Sequence, residues 1–269
     1  MILMKEKTIE STSNPIVKRA AALHMRKNRK KYQQFLLEGI RGIQDTLSAS
    51  KQIECVFYES KIDSVPGGTD ILQQIRTSKI ELYKVTSEVM KKIADTKNPQ
   101  GLMAVVRIPD HNLSDLLENS QYILMLDKIQ DPGNMGTLIR SAEASGFDGI
   151  LLTGGSTDPY SSKCIRAATG AVSHIPVIEL NNTEDVLEIM KEKKFQILGA
   201  ALENGISYTT VKYEAPLALL IGNEASGIHP DLLAMVAQRI TIPMRGKTQS
   251  LNAAVAGSVL MFHITDSCR

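Results

Sequence analysis

The chain has 269 residues, 43% hydrophobic and 22% charged, which is enough for a real core and unlike a disordered chain. It holds no apolar run of membrane-spanning length and no N-terminal export signal, and its three scattered cysteines, without a CxxC pair, argue against a disulfide framework or a metal site and for a reducing cytoplasm. The net charge of +2 hides an asymmetry: residues 1–31 carry +7 and the remainder −5, so a basic arm on a mildly acidic body points to a polyanionic partner.

In chain order, Asn14-Pro15 opens a predicted helix through Lys31, with Lys18, Arg19, Arg26, Lys27, Arg29, Lys30 and Lys31 opposite a rough apolar stripe. These seven cations are the candidate contacts to such a polyanion; a solvated terminal helix is the plainer reading. Phe35–Leu37 reads as a strand and Gly39–Ser48 as a helix. Cys55–Tyr58 is a second strand, and a helix follows near Asp70–Arg76. Leu82–Val85 is a further strand, Ser87–Ala94 a helix with Ser87 as N-cap, and Gly101–Val106 a closing strand. This alternation predicts a small α/β sandwich. The stretch 108–119, opening on Pro109, Asp110 and Asn112, reads as a linker.

The rhythm then restarts as a mostly parallel sheet covered on both faces. Its predicted strands are Tyr122–Leu126, Gly149–Leu152, Val177-Ile178, Phe195–Ala201, Leu217–Ile221 and Ile240–Ile242. Its predicted helices are Asn134–Ala144, Ser161–Ala168, Thr183–Lys191, His229–Val236 and Ser250–Ile264. The segments expected are a basic arm or helix over 1–31, a small α/β domain over 32–107, a linker over 108–119 and a larger α/β domain over 120–269.

Three polar turns follow strands directly: Asp131–Gly136 with Asn134 as a good N-cap, Gly222–Gly227, and Pro243–Asn252. In open α/β sheets ligands bind beyond the carboxyl ends of the strands, so these loops can converge on one pocket. Asn134, Arg140, Asn223, Glu224, Ser250 and Asn252 would then line it, with Ile242 and Leu251 as apolar walls.

Asn134-x-Gly136-x-x-x-Arg140, Gly222-Asn223-Glu224-x-x-Gly227 and Ile242-Pro243-Met244-x-Gly246 with Ser250-Leu251-Asn252 resemble the three ordered motifs of the SpoU (TrmH) RNA ribose methyltransferases over residues 121–265. Asn14-Pro15, Phe35–Gly39 and Gln100–Leu102 are similar, more loosely, to the substrate-binding domain that precedes rRNA-directed members. Ala225, Gln249 and Thr169 depart mildly from the common pattern.

The resemblance implies a SPOUT fold, a parallel sheet with a C-terminal trefoil knot, behind a ribosomal protein L30e-like α/β sandwich. It implies S-adenosylmethionine as cofactor, held by Ala200, Gly222, Ile242 and Leu251, a homodimer, and structured RNA, above all 23S rRNA, as substrate; no DNA or membrane partner is expected. It assigns the chemistry to Arg140, with Asn134, Glu224, Ser250 and Asn252 around it. Guanidinium is effectively never deprotonated, so Arg140 fits anchoring of phosphate and stabilisation of the forming alkoxide better than base catalysis. Asn134 and Ser250 are expected to orient Arg140 and the ribose, and Glu224 to hold a loop or pair with a basic group. Three alternatives stay open: a tRNA-directed methyltransferase, a non-catalytic RNA-binding protein on the same fold, and a dinucleotide enzyme using the Asp131–Gly136 turn, which lacks GxGxxG.

Overall fold

The first strand of the chain is three residues long and carries no periodic signal, yet it seals one edge of a sheet. The computed structural model describes residues 6–49, 52–78, 80–94 and 96–268. The chain forms two units, Met1–Asp110 with Tyr160–His174, and His111–Pro159 with Ile175–Arg269.

The first unit runs β1 (Lys7–Ile9), α1 (Pro15–Ala22), α2 (Arg26–Tyr32), β2 (Gln34–Glu38), α3 (Ile40–Ser48), β3 (Ile53–Tyr58), α4 (Gly68–Thr77), β4 (Glu81–Val85), α5 (Ser87–Ile93) and β5 (Leu102–Arg107). Its five strands lie in the order β1-β4-β3-β5-β2. β1, β4 and β3 are parallel, and β5 is antiparallel to both β3 and β2. Thr86, not Ser87, caps α5 by accepting from Val89 N, while the Ser87 hydroxyl donates to Glu59.

The single helix expected from Asn14 to Lys31 is two. Asn14 Oδ1 caps α1 by accepting from Ile16 N at 2.9 Å. The chain then turns, because Arg29 Nη1 donates to the Leu23 and His24 carbonyls at 2.6 and 2.8 Å and Asn28 Nδ2 donates to the Ala22 carbonyl at 2.8 Å. These side chains fill carbonyls that the end of α1 leaves open. Nor is the segment an arm: β1 pairs with β4, and Val17, Ala20 and Leu23 are buried in one core with Phe57 and Tyr83. Arg29, only 5% exposed, is therefore a structural cation and leaves the set of candidate RNA contacts. Lys18, Arg19, Arg26, Lys27, Lys30 and Lys31 are exposed; Arg19 also donates to Gln34 and stacks over Tyr32. Residues 1–5, with Lys5, lie outside the described residues.

The chain continues through α6 (Leu113–Asn119), β6 (Tyr122–Leu126), α7 (Pro132–Ser145), β7 (Gly149–Leu152), α8 (Ser162–Ala168), β8 (Val177–Glu179), α9 (Thr183–Glu192), β9 (Gln196–Ala200), β10 (Ile206–Ser207), β11 (Leu217–Ile221), α10 (Pro230–Met235), β12 (Gln238–Thr241) and α11 (Ala253–Ser267). Most of 108–119 is thus helix, not linker: Asn112 Oδ1 accepts from Ser114 N and Asp115 N, and Leu117 is buried in the core of the second unit. α8 sits within the interval that belongs to the first unit. There Tyr160 packs on Phe35 with ring centroids 5.1 Å apart, and the Thr46 and Ser173 hydroxyls share a hydrogen bond of 2.8 Å.

The second unit's seven strands follow the order β10-β12-β9-β11-β6-β7-β8, and every neighbouring pair is parallel. All five residues of β11 and all four of β7 are buried, as strands covered on both faces require. α11 begins at Ala253 rather than Ser250 and packs on α7 through Gly257, where an added Cβ would lie 2.5 Å from Leu138 Cδ2. One shared strand direction brings the turns after β6, β9, β11 and β12 to one end of the sheet.

Candidate active site

The turn after β6 owes its shape to Asp131. Its carboxylate caps α7 by accepting from Asn134 N at 2.9 Å, so Asp131, not Asn134, is the N-cap. The Asn134 side chain is thereby released. Its Nδ2 donates to Glu224 Oε1 at 2.8 Å, and its Oδ1 accepts from Asn252 Nδ2 at 2.9 Å. Asn252 in turn caps α11, its Oδ1 accepting from Ala254 N and Val255 N. One line of hydrogen bonds, Glu224–Asn134–Asn252, therefore ties the three motif loops together.

Glu224 caps no helix and pairs with no cation among the described residues. Its carboxylate also accepts from the backbone N–H groups of Gln130 and Asp131, both at 3.3 Å. Partial burial works to raise its pKa, but the donors, Asn134 first, outweigh it and hold the carboxyl below the ordinary range. With the folded pKa below the unfolded one, this contribution to stability is complete above about pH 4.3 and is lost as pH falls through the depressed value. Solvent exposure keeps it small.

The loop Gly222–Gly227 closes on itself. Asn223 N and Gly227 N exchange hydrogen bonds with each other's carbonyls at 3.0 and 2.9 Å, and Asn223 Oδ1 accepts from Ala225 N and Ser226 N. Asn223 is thus a turn former. Its Nδ2 holds the Lys128 carbonyl at 2.8 Å, while Lys128 N donates to Thr153, fixing Lys128 at φ 52°, a conformation that costs a residue with a Cβ. Sequence reasoning passed over Asp127. This buried carboxylate accepts from Thr153 Oγ1 at 2.8 Å and from His229 N at 2.7 Å, fastening the ends of β6 and β7 to the start of α10. An acidic residue directly after a four-residue apolar run was the available signal.

Beside these loops lies a cavity of about 400 Å³, within the usual range for a small organic ligand. It brings together Ala200, Gly222, Ile242 and Leu251, with Glu224 and Ser250 also on its wall. Asn134, Asn252 and Arg140 are not among its lining residues. Arg140 stands about two turns into α7, exposed and without a hydrogen-bond partner among the described residues, so neither Asn134 nor Ser250 holds it. Among the described residues no His, Cys, Asp or Glu cluster suits a metal ion, and no helix is long and apolar enough to cross a membrane.

Comparison with known proteins agrees with this layout. Residues 121–262 match the SpoU rRNA methylase family, and residues 14–104 match an MRM3-like substrate-binding domain. Across 96% of its length the chain is 31% identical to the 23S rRNA (guanosine(2553)-2′-O)-methyltransferase RlmP of Bacillus subtilis (strain 168), covering 99% of that protein. An AdoMet-bound rRNA methyltransferase from Sinorhizobium meliloti superimposes with a TM-score of 0.85 at 30% identity, over 96% of this chain and 97% of that one. The SpoU methyltransferase AviRb of Streptomyces viridochromogenes, 23% identical, shares the fold with a TM-score of 0.85 over 95% of this chain and all of its own. The sheet order, the three tied loops and these matches place the chain in the SpoU rRNA methylase family, whose members are S-adenosylmethionine-dependent RNA methyltransferases.

Proposed function

We propose that the chain methylates a ribose 2′-hydroxyl in 23S rRNA with S-adenosylmethionine, the second unit doing the chemistry and the first holding RNA. The observation that carries this reading is the Glu224–Asn134–Asn252 line, which joins the family's three motifs next to a cavity of ligand size. The cavity fits such a cofactor: its volume is sufficient, its walls mix main chain of the Gly222 turn with apolar Ile242 and Leu251, and a Cβ at Gly222 would strike backbone. Ala200, Gly222, Ile242 and Leu251 would hold the cofactor, which supplies an electrophilic methyl group. Arg140 would bind the RNA phosphate beside the reacting ribose and stabilise the developing alkoxide, its proton leaving through phosphate or water. Glu224, Asn134 and Asn252 act as positioning residues, keeping the loops fixed so that little reorganisation is left for the reaction. Ser250, on the cavity wall, would contact the ribose.

The strand order supports the trefoil knot. After β11 the chain must pass β9 to reach β12 and then return as α11 to pack on α7 and β11. α11 also supports the homodimer, because Val255, Val259 and Phe262 remain 48%, 38% and 47% exposed on it, an apolar face that two copies would cover. Sedimentation should show a dimer at micromolar concentration, and Phe262→Asp should shift it to monomer. A cytoplasmic setting follows from the proposed substrate.

Incubation with tritiated S-adenosylmethionine and separated RNAs tests the activity. Label in the ribose of 23S rRNA is expected; label in tRNA alone would move the substrate to the alternative class. The exposed cations make a second expectation. Changing Lys18, Lys27, Lys30 and Lys31 together to alanine should flatten log affinity against log salt by roughly 0.7–0.9 for each phosphate that is no longer neutralised. Arg29→Ala should leave that slope unchanged and lower the melting temperature, since it strips two carbonyls of their donor.

A further inference from the structure

The first unit contains a cavity that the proposed chemistry does not use. It measures about 170 Å³ and lies between the start of α3 and α8. That is below the range for a drug-sized ligand and holds on the order of five waters, a volume suited to one nucleobase. Leu36, Met103 and Ile165 give it apolar wall, enough for a ring face.

Its polar groups are unevenly satisfied. His24 Nε2 meets the Ile93 carbonyl at 2.7 Å. A carbonyl only accepts, so Nε2 is the donor. The His24 Nδ1 is buried and has no hydrogen-bond partner among the described residues. Glu38 accepts from Gln100 N at 2.9 Å and from the Thr96 hydroxyl at 3.2 Å, and a carboxylate has room for further donors. Gln100 itself lies across Gly39, where an added Cβ would come within 2.6 Å of Oε1, and its side-chain amide has no hydrogen-bond partner among the described residues. Arg41 and Arg166 are exposed on the lining, and neither guanidinium has a hydrogen bond or ion pair among the described residues.

We infer that this cavity receives one unstacked guanine nucleotide of the RNA, with Glu38 accepting from the base and Arg41 and Arg166 binding its phosphates. Guanine is the base that offers adjacent N1–H and N2–H donors to a carboxylate while presenting O6 to a donor such as the Gln100 amide. Proteins read single-stranded RNA through such splayed bases, hydrogen-bonded along their Watson–Crick edges. Two guanidinia on one lining, without a partner among the described residues, suit phosphate oxygens, which a guanidinium grips bidentately. The assignment rests on the reading of RNA as substrate, and it gives the first unit a base-reading role beyond the phosphate contacts of α1 and α2.

The full chain, saturated with S-adenosylhomocysteine to fill the other cavity, is titrated with the four ribonucleoside 5′-monophosphates and with ribose 5-phosphate. Binding of S-adenosylhomocysteine reports on the proposed activity, and nucleotide binding reports on this cavity alone. Guanosine monophosphate should bind at least about fivefold tighter than the other three and tenfold tighter than ribose 5-phosphate. Glu38→Gln, which keeps an acceptor for Gln100 N and Thr96, should erase the base preference, Gln100→Ala should reduce it, and the double variant Arg41→Ala, Arg166→Ala should weaken all four nucleotides together. Arg41, Gln100 and Arg166 are exposed, so melting temperatures of their variants should stay near wild type. Equal affinity for all four nucleotides and ribose 5-phosphate would overturn the inference, as would a guanine preference left unchanged in Glu38→Gln.

Discussion

Arg140→Ala is expected to reduce methyl transfer to 23S rRNA by on the order of 10²–10³-fold while leaving S-adenosylmethionine affinity within about twofold. The two readouts separate because Arg140 stands on the exposed face of α7 and is not part of the cavity wall. A guanidinium without a hydrogen-bond partner among the described residues is free to engage the substrate, and its loss removes charge stabilisation from the transition state without disturbing a network in the free enzyme. Arg140→Lys should fall nearly as far, since a point charge lacks the planar fork that can grip phosphate and alkoxide together. Single-turnover rates with saturating cofactor, alongside calorimetry, decide it. Turnover close to wild type in either variant would remove Arg140 from the chemistry.

The second large effect is expected at Gly222. A methyl group added there would lie 2.1 Å from Gly227 C and from Ile228 N, and both are backbone atoms that no rotamer change can move. The turn must open, and with it the wall of the 400 Å³ cavity. Overpacking of this kind costs about 1–3 kcal/mol, so Gly222→Ala should weaken S-adenosylmethionine binding by roughly ten- to a hundredfold. Gly246→Ala, in the third motif loop, is the control: an added Cβ meets nothing within 4 Å, and affinity should hold. Equal losses in the two variants would show that the effect comes from glycine flexibility and not from the close approach at Gly222.

Much of this molecule was readable from its pattern. Long apolar runs such as Leu217–Ile221 and Gly149–Leu152 fall on their strands residue for residue, because a strand buried on both faces has no other composition available. β1 and β10 were missed because strands of three and two residues at a sheet edge owe their existence to a neighbour, not to a period. The interval 108–119 misled for a chemical reason. Asn112 has the character of a turn former, and the same side chain is a strong helix cap, so α6 looked like a connection. At the site it was the relations between residues that one dimension hid. With Asn134 assigned as the cap, nothing in one dimension says that Asp131 takes that duty and leaves Asn134 to join two distant loops. Arg29 shows the same limit, since a cation buried against carbonyls has the same one-letter code as one in solvent.

The interval Tyr160–His174 belongs to the first unit although residues 111–159 of the second precede it. During synthesis the N-terminal 110 residues must therefore wait, their fold incomplete, until some fifty more have emerged and returned the chain to them. Tyr160 against Phe35, Ser173 against Thr46 and the buried side of α8 are all missing until then. Three covalent crossings join the two units, so no single cut releases either intact. A fragment starting at residue 120 would lose α6 and carry Ile165, Ala168 and Val172 with nothing to cover them. The chain thus matures as one piece, its first unit finished by a segment borrowed from within the second.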